Sequence, residues 1–130
     1  MTDSIRDADR LAVQELVSRY AWALDTSDAD LMASVFTPDG AFSGDVATYT
    51  GRAELRSWVE SRSPALRATQ HFVSNLMLSA DGDAIEEKSL CLIVGAEGGQ
   101  LSVQSSGYYR GRVVKHDGAW LFASRSFHHW

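Results

Sequence analysis

The sequence predicts an α+β fold, with helices first, an antiparallel meander after them, and the helices packed on one face of a curved sheet. Three observations carry that expectation. Apolar residues recur at helical spacing through the first half of the chain. The second half changes to long β-rich runs, and those runs are separated by Asp81-Gly82, Gly98-Gly99 and Asp117-Gly118, dipeptides suited to tight hairpin turns.

The first helix is the most clearly patterned. From Ile5 to Leu24, the residues Ala12, Val13, Leu16, Val17, Tyr20 and Ala21 share one side of about five turns. Asp28 is placed to cap a second, short helix whose Leu31, Met32, Val35 and Phe36 face inward. Thr37-Pro38 should stop that helix, because proline disfavours the helical conformation at the residue before it, and Asp39-Gly40 should turn the chain. Ala41–Tyr49 has weak strand character. Arg52–Arg62, with Leu55, Trp58 and Val59 on one face, reads as a third helix that ends before Pro64. Four strands follow, over Thr69–Ser79, Ala84–Ala96, Leu101–Lys115 and Ala119–His129.

Composition narrows the function classes. The 130 residues, 45% hydrophobic and 10% aromatic, are enough for one compact domain over 1–130 and too apolar for a disordered chain. A chain of this size buries roughly two-thirds of its unfolded surface and needs no disulfide or structural metal. The single cysteine, Cys91, cannot form an intramolecular bridge, which points to a reducing cytoplasm. Twelve basic against seventeen acidic residues leave a net charge of −5 with both signs scattered, which argues against nucleic-acid or anionic-membrane partners. The opening MTDSIRDADR lacks the apolar run of a signal peptide, and no stretch approaches the roughly 18 apolar residues of a membrane span. No linker, repeat or low-complexity segment divides the chain.

A sheet curled around a long helix makes a cone whose open end suits a small ligand. On a regular first strand, His71 shares its face with Val73, Asn75 and Met77, while Phe72, Leu76 and Leu78 face the other way. Both faces are then partly apolar, and the expected cover for the second is either a partner subunit or more sheet, which points to a homo-oligomer, a homodimer or homotrimer. Asp25 stands out for another reason. It falls in the last turn of the first helix, where the macrodipole disfavours an anion by about 0.3–1 kcal/mol, so it calls for a compensating partner. The competing role is a turn or cap in Asp25-Thr-Ser-Asp28.

Several signatures in order resemble the SnoaL-like branch of the nuclear-transport-factor-2-like superfamily, over nearly the whole chain. They are Tyr20-Ala-Trp-Ala-Leu-Asp25 followed by Asp28, Phe36-Thr-Pro-Asp39-Gly-Ala, Gly51, His71-Phe-Val-Ser-Asn75, Asp81-Gly-Asp83, Gly107-Tyr108-Tyr109, and Asp117-Gly-Ala-Trp120 ending in Arg125. The resemblance implies the cone-shaped fold shared with scytalone dehydratase, ketosteroid isomerase and hexachlorocyclohexane dehydrochlorinase. Fold alone does not fix function in such a group.

In the dehydratase and dehydrochlorinase members, an aspartate ending the first helix orients a strand histidine that acts as general base, and Asp25 and His71 match those positions. A carboxylate bonded to one imidazole nitrogen fixes the tautomer and stabilises the imidazolium formed at the other. Tyr20 matches a tyrosine that hydrogen-bonds substrate oxygen; plain packing between Leu16 and Leu24 is its alternative. Arg125 matches an arginine that helps hold the leaving group, and its parity with Leu121, Ala123 and Phe127 turns it inward. Its alternative is a structural ion pair with Asp25 or another acid, since an unpaired buried ion is costly. Asn75 offers an amide to the ligand or satisfies the sheet edge.

Trp22, Phe42, Tyr49, Trp58, Trp120 and Phe127 are candidates to wall an apolar ligand, with core packing as the competing role. The tail Phe127-His128-His129-Trp130 either folds over the pocket mouth or stays disordered. As strand neighbours, His128 and His129 point to opposite faces and cannot readily chelate one ion, so no metal is expected. No glycine-rich phosphate loop or dinucleotide fingerprint is present, so no cofactor is expected either. The expected activity is therefore a cofactor-independent lyase or isomerase, a dehydratase or cyclase. It would take a proton from carbon in a small hydrophobic, carbonyl-containing, polyketide- or steroid-like substrate. Two other readings stand beside it. In one, which follows the pattern of ketosteroid isomerase, Asp45 is the base and the first-helix tyrosine the oxyanion donor. In the other, the domain is a non-catalytic binding or assembly module.

Overall fold

The computed structural model describes residues 4–130. Helix α1 (Asp7–Asp25) buries Val13, Leu16, Val17, Tyr20, Ala21 and Leu24 along the predicted side, together with Ala23, while Ala12 at the edge of that stripe is exposed; Asp7 and Asp9 sit in its first turn, where the helix dipole favours anions. Asp28 caps α2 (Ala29–Ser34) as expected, its carboxylate accepting from the Leu31 N–H at 3.0 Å. That helix ends two residues earlier than the sequence suggests. Phe36 begins a strand, β1 (Phe36–Ser43), and Asp39-Gly40 lies inside it instead of turning the chain.

The reason lies in the pairing. Strand β1 runs parallel to β6 (Ala119–His129), with Phe36 opposite Phe122 and Ala41 opposite Ser124, so the residues between bulge out of the ladder. Pro38, which has no N–H to give, is tolerated in such a bulge. Gly40 is required there, since a Cβ would lie 2.9 Å from the Phe122 carbonyl oxygen. The weak strand signal over 41–49 splits into the end of β1 and β2 (Thr48–Thr50), which pair antiparallel.

Helix α3 (Arg52–Glu60) buries Leu55 and Val59, and a short α4 (Pro64–Arg67), absent from the sequence expectation, follows. Pro64 does more than end the preceding helix; it is the first residue of a new one, where its missing N–H costs nothing. Strands β3 (Thr69–Asp81), β4 (Ala84–Gly95), β5 (Ser102–His116) and β6 then meander antiparallel, within two residues of their predicted bounds. Positive φ at both Asp117 and Gly118, 50° and 83°, is the geometry that a tight two-residue hairpin demands.

The six strands form one sheet in the order β2-β1-β6-β5-β4-β3. The core between sheet and helices gathers the rings of Tyr20, Phe36, Tyr109 and Phe122, with Tyr20 edge-on to Tyr109 at 5.4 Å.

Two bulges correct the simple strand parities. In β3 one extra residue falls between Ser74 and Met77, and Asn75 there adopts a φ of 56°. Beyond it the faces exchange: Leu76 and Leu78 join Val73 against the core, while Met77 is exposed on the outer side. In β6 an extra residue at Ala123 brings Phe122, fully buried, onto the inward face with Arg125 and Phe127.

Candidate active site

The open end of the cone holds a cavity of about 410 Å³. Tyr20 and Leu24 of α1 line it, with Phe42 of β1, Trp58 of α3, His71 of β3, Tyr109 of β5 and Phe127 of β6. Phe42 and Trp58 stack at 4.6 Å, and Tyr49 stacks on the same indole at 5.2 Å, so one wall is a rigid aromatic layer. Gly107 makes the opposite wall feasible, because a Cβ there would lie 2.6 Å from the Phe127 ring.

Asp25 and His71 meet at this cavity. Asp25 is the last residue of α1, and β3 is an edge of the sheet, so N–H groups on the outer side of β3 have no strand partner. Asp25 supplies one: its two carboxylate oxygens accept from the His71 backbone N–H at 3.1 and 3.0 Å, and Oδ1 lies 2.7 Å from His71 Nδ1. An ionised carboxylate only accepts, so Nδ1 carries a proton, and in the neutral ring the lone pair is then on Nε2. No hydrogen bond within the described residues engages Nε2, and the His71 ring lines the cavity. The turn after α1 is built by backbone instead, with Ser27 at φ 54° and the Asp28 N–H bonded to the Ala23 carbonyl.

Tyr20 forms part of the cavity floor. Its hydroxyl is buried without a hydrogen-bond partner, and burial holds its pKa well above the ordinary phenol value. Arg125 lies deeper and does not line the cavity. Its Nη2 donates to Glu87 Oε1 at 3.0 Å and to Ser89 Oγ at 3.3 Å, and its guanidinium stacks 3.8 Å from the Tyr109 ring centre and 4.5 Å from that of Tyr20. Its acid is thus Glu87, and Asp25 serves His71. Arg125 Nη1 is buried without a partner.

Sequence reasoning did not single out Glu87, which sits in the charged run Glu86-Glu87-Lys88 and looks solvent-facing. The available signal was alternation: Ile85, Glu87, Ser89 and Cys91 point inward together. Arg62 was also missed. Just beyond α3, it lines the cavity and donates from Nη1 to the Leu24 carbonyl and from Nη2 to the Leu66 carbonyl, both at 2.9 Å.

Other expected site residues lie elsewhere. Trp22 is on the far side of α1 and 66% exposed, because its position is off the apolar stripe. Asn75 sits in the β3 bulge, off the face that carries His71. Trp120 is at the other end of the sheet, donating to Asp9 Oδ1 at 2.9 Å. Asp45 is exposed in the β1–β2 turn and does not itself line the cavity; its carboxylate is bonded to His129 Nδ1 at the cavity edge. The tail continues β6: Phe127 and His129 line the cavity, while His128 stacks on Tyr108 across the sheet. Among the described residues no helix is long and apolar enough to cross a membrane.

Comparison with solved structures finds the same architecture repeatedly. A protein of unknown function with a cystatin-like fold from Nostoc punctiforme is 25% identical, with 96% of this chain and 93% of that chain covered and a TM-score of 0.88. A variant of Rv3472, a function-unknown protein from Mycobacterium tuberculosis, is 29% identical over 96% of this chain and 78% of that one, with a TM-score of 0.86. A candidate scytalone dehydratase from Novosphingobium aromaticivorans shares the fold at 23% identity, over 95% and 85% of the two chains, with a TM-score of 0.79. No curated protein matches the chain. The family model of the SnoaL-like domain matches residues 6–126, and with the cone, the meander and the helix-to-strand pairing in place, the chain belongs to the SnoaL-like family.

Proposed function

We propose that this protein is a cofactor-independent enzyme that removes a proton from carbon beside a carbonyl, with His71 as the base and Asp25 as the residue that orients it. The observation that carries the reading is the 2.7 Å contact between Asp25 Oδ1 and His71 Nδ1, made at a solvent-reachable cavity. Nε2 takes the proton, the C–H electron pair moves toward the carbonyl, and Asp25 stabilises the imidazolium. A positioned base of this kind contributes about 10²–10⁴-fold in rate. Tyr20, kept protonated by burial, is suited to donate to the carbonyl oxygen as charge grows there. Arg125 supports that donor from behind, through its stacking on the Tyr20 ring.

Loss of water is the outcome we favour: the electron pair expels the hydroxyl on the neighbouring carbon, which takes back the proton held on Nε2 and leaves as water, returning His71 to its neutral form. Isomerisation or ring closure would begin with the same step. The aromatic wall of Phe42 and Trp58 suits a small hydrophobic, polyketide- or steroid-like carbonyl compound.

The test is deuterium wash-in from D₂O at the carbon beside the carbonyl of 2-tetralone and related ketones, followed by NMR. Wild type should accelerate exchange, and His71→Ala and Asp25→Asn should abolish the acceleration while melting like wild type. Equal exchange in all three would remove the mechanism and leave a binding module.

Phe72, Leu92 and Met77 stay 55%, 41% and 61% exposed on the outer face of the sheet, which supports a homodimer or homotrimer closed over that face. Sedimentation of Leu92→Glu tests it, with monomers expected. A cytoplasmic site of action rests on the unpaired, buried Cys91.

A further inference from the structure

The cavity wall carries a cation that proton abstraction leaves unused. The chain has a net charge of −5, yet no aspartate or glutamate lines this cavity, while Arg62, His71 and His129 do. The carboxylates closest to it stand behind histidines, Asp25 against His71 and Asp45 against His129. Arg62 differs from Arg125 in its partners. Arg125 has the carboxylate of Glu87, whereas the side-chain hydrogen bonds of Arg62 go to the backbone carbonyls of Leu24 and Leu66. Those neutral acceptors fix the guanidinium plane without neutralising it, and they use two of its five N–H donors.

Asp25 acts on Arg62 through space, with no hydrogen bond between them; its hydrogen bonds go to the His71 N–H and Nδ1. Arg62 is half-buried, so its cation is partly stripped of water, and that burial pulls its pKa below the ordinary value, though a guanidinium remains charged at neutral pH. A half-buried, oriented guanidinium that has no ion pair of its own and stands beside an aromatic wall is suited to receive a planar anion, and a carboxylate matches its fork.

We infer that Arg62 is the anion-binding residue of this cavity and that its ligand is a flat apolar carboxylate, held with its ring against Phe42 and Trp58. The inference rests on the proposed reading in taking this cavity as the substrate site, and it adds a substrate class. The carbonyl compound worked on by His71 would carry an acid group anchored on Arg62. Arg62 acts in binding, and its test is a binding test.

The experiment compares 2-naphthoate with 2-naphthamide, two probes of equal shape and different charge, by calorimetry at low salt and about pH 8, where ordinary imidazoles are uncharged. Wild type should bind naphthoate about tenfold more tightly or better, the factor that one charge-assisted hydrogen bond supplies. Arg62→Met should erase the preference, and Arg62→Lys should retain part of it. Should Arg62→Met fail to fold, the ¹⁵N-labelled Arg62 Nε resonance of the wild type decides, shifting with naphthoate and staying still with naphthamide. Equal affinities, a preference that survives in Arg62→Met, or an unmoved resonance would overturn the inference. His71→Gln separates the two readings. Lost deuterium wash-in with an intact naphthoate preference upholds both, an absent preference with His71-dependent wash-in removes only the Arg62 inference, and a preference without wash-in removes only the base.

Discussion

Glu87 and Arg125 form an ion pair whose side chains are both fully buried, at 3.0 Å, directly beneath the floor of the cavity. Gly111 makes room for it, since a Cβ there would come within 2.7 Å of Glu87 Oε2. Glu87→Gln leaves a buried guanidinium without its counter-charge and should cost about 3–5 kcal/mol in urea unfolding, whereas Glu87→Met combined with Arg125→Met should recover most of that loss. An additive double mutant would show that the two charges are not coupled.

Asp25→Asn is nearly isosteric and keeps an oxygen for the His71 N–H, but it no longer selects the tautomer in which Nε2 is bare. Wash-in should fall by about 10²–10⁴-fold with the melting temperature within a few degrees of wild type. A large drop in melting temperature would instead make Asp25 a structural latch between α1 and β3.

Gly107→Ala should be among the more disruptive single-methyl changes in the chain. The added carbon would lie 2.2 Å from the His128 carbonyl oxygen and 2.6 Å from the Phe127 ring, so either the β5–β6 ladder opens or Phe127 leaves the cavity wall. Overpacking of this kind costs about 1–3 kcal/mol or more. Thermal melts and binding of 2-naphthamide should both report it.

Asp9 links α1 to the last hairpin by accepting from Trp120 Nε1, and that bond, with the one from Arg6, holds its pKa below the usual carboxylate value. A depressed folded-state pKa stabilises the fold above the unfolded-state value, and the contribution is lost as pH falls through the folded-state value. Asp9→Asn should therefore lower the urea midpoint at neutral pH, and the gap from wild type should close in acid. A gap that is constant with pH would rule out the charge as its source.

Trp58→Ala removes the ring that stacks on both Phe42 and Tyr49, and it should weaken naphthamide binding and lower stability. Trp22→Ala changes an exposed ring and should stay within about 0.5 kcal/mol of wild type. Iodide should quench the Trp22 fluorescence more readily than that of Trp58.

Periodicity and turn chemistry determined much of this protein without coordinates. The α1 stripe, the Asp28 cap, the hairpin at Asp117-Gly118 and the four-strand meander depend on neighbours a few residues apart, so they are legible in order along the chain. The unfavourable position of Asp25 at a helix C-terminus likewise announced a partner. Tertiary structure decided what depends on distant strands. The parallel β1–β6 pairing turned Pro38-Asp39-Gly40 into a bulge, and single extra residues at Asn75 and Ala123 exchanged the faces of two strands. Those shifts carried Asn75 out of the site and set Phe122 on the inward face, while Arg125, inward as expected, found its acid on a strand distant in sequence, at Glu87. Arg62 became a cavity residue only because the carbonyls of Leu24 and Leu66 hold it there. A strand's side-chain period of two is erased by one inserted residue, and whether a residue is inserted is settled by the partner strand, which local sequence does not contain.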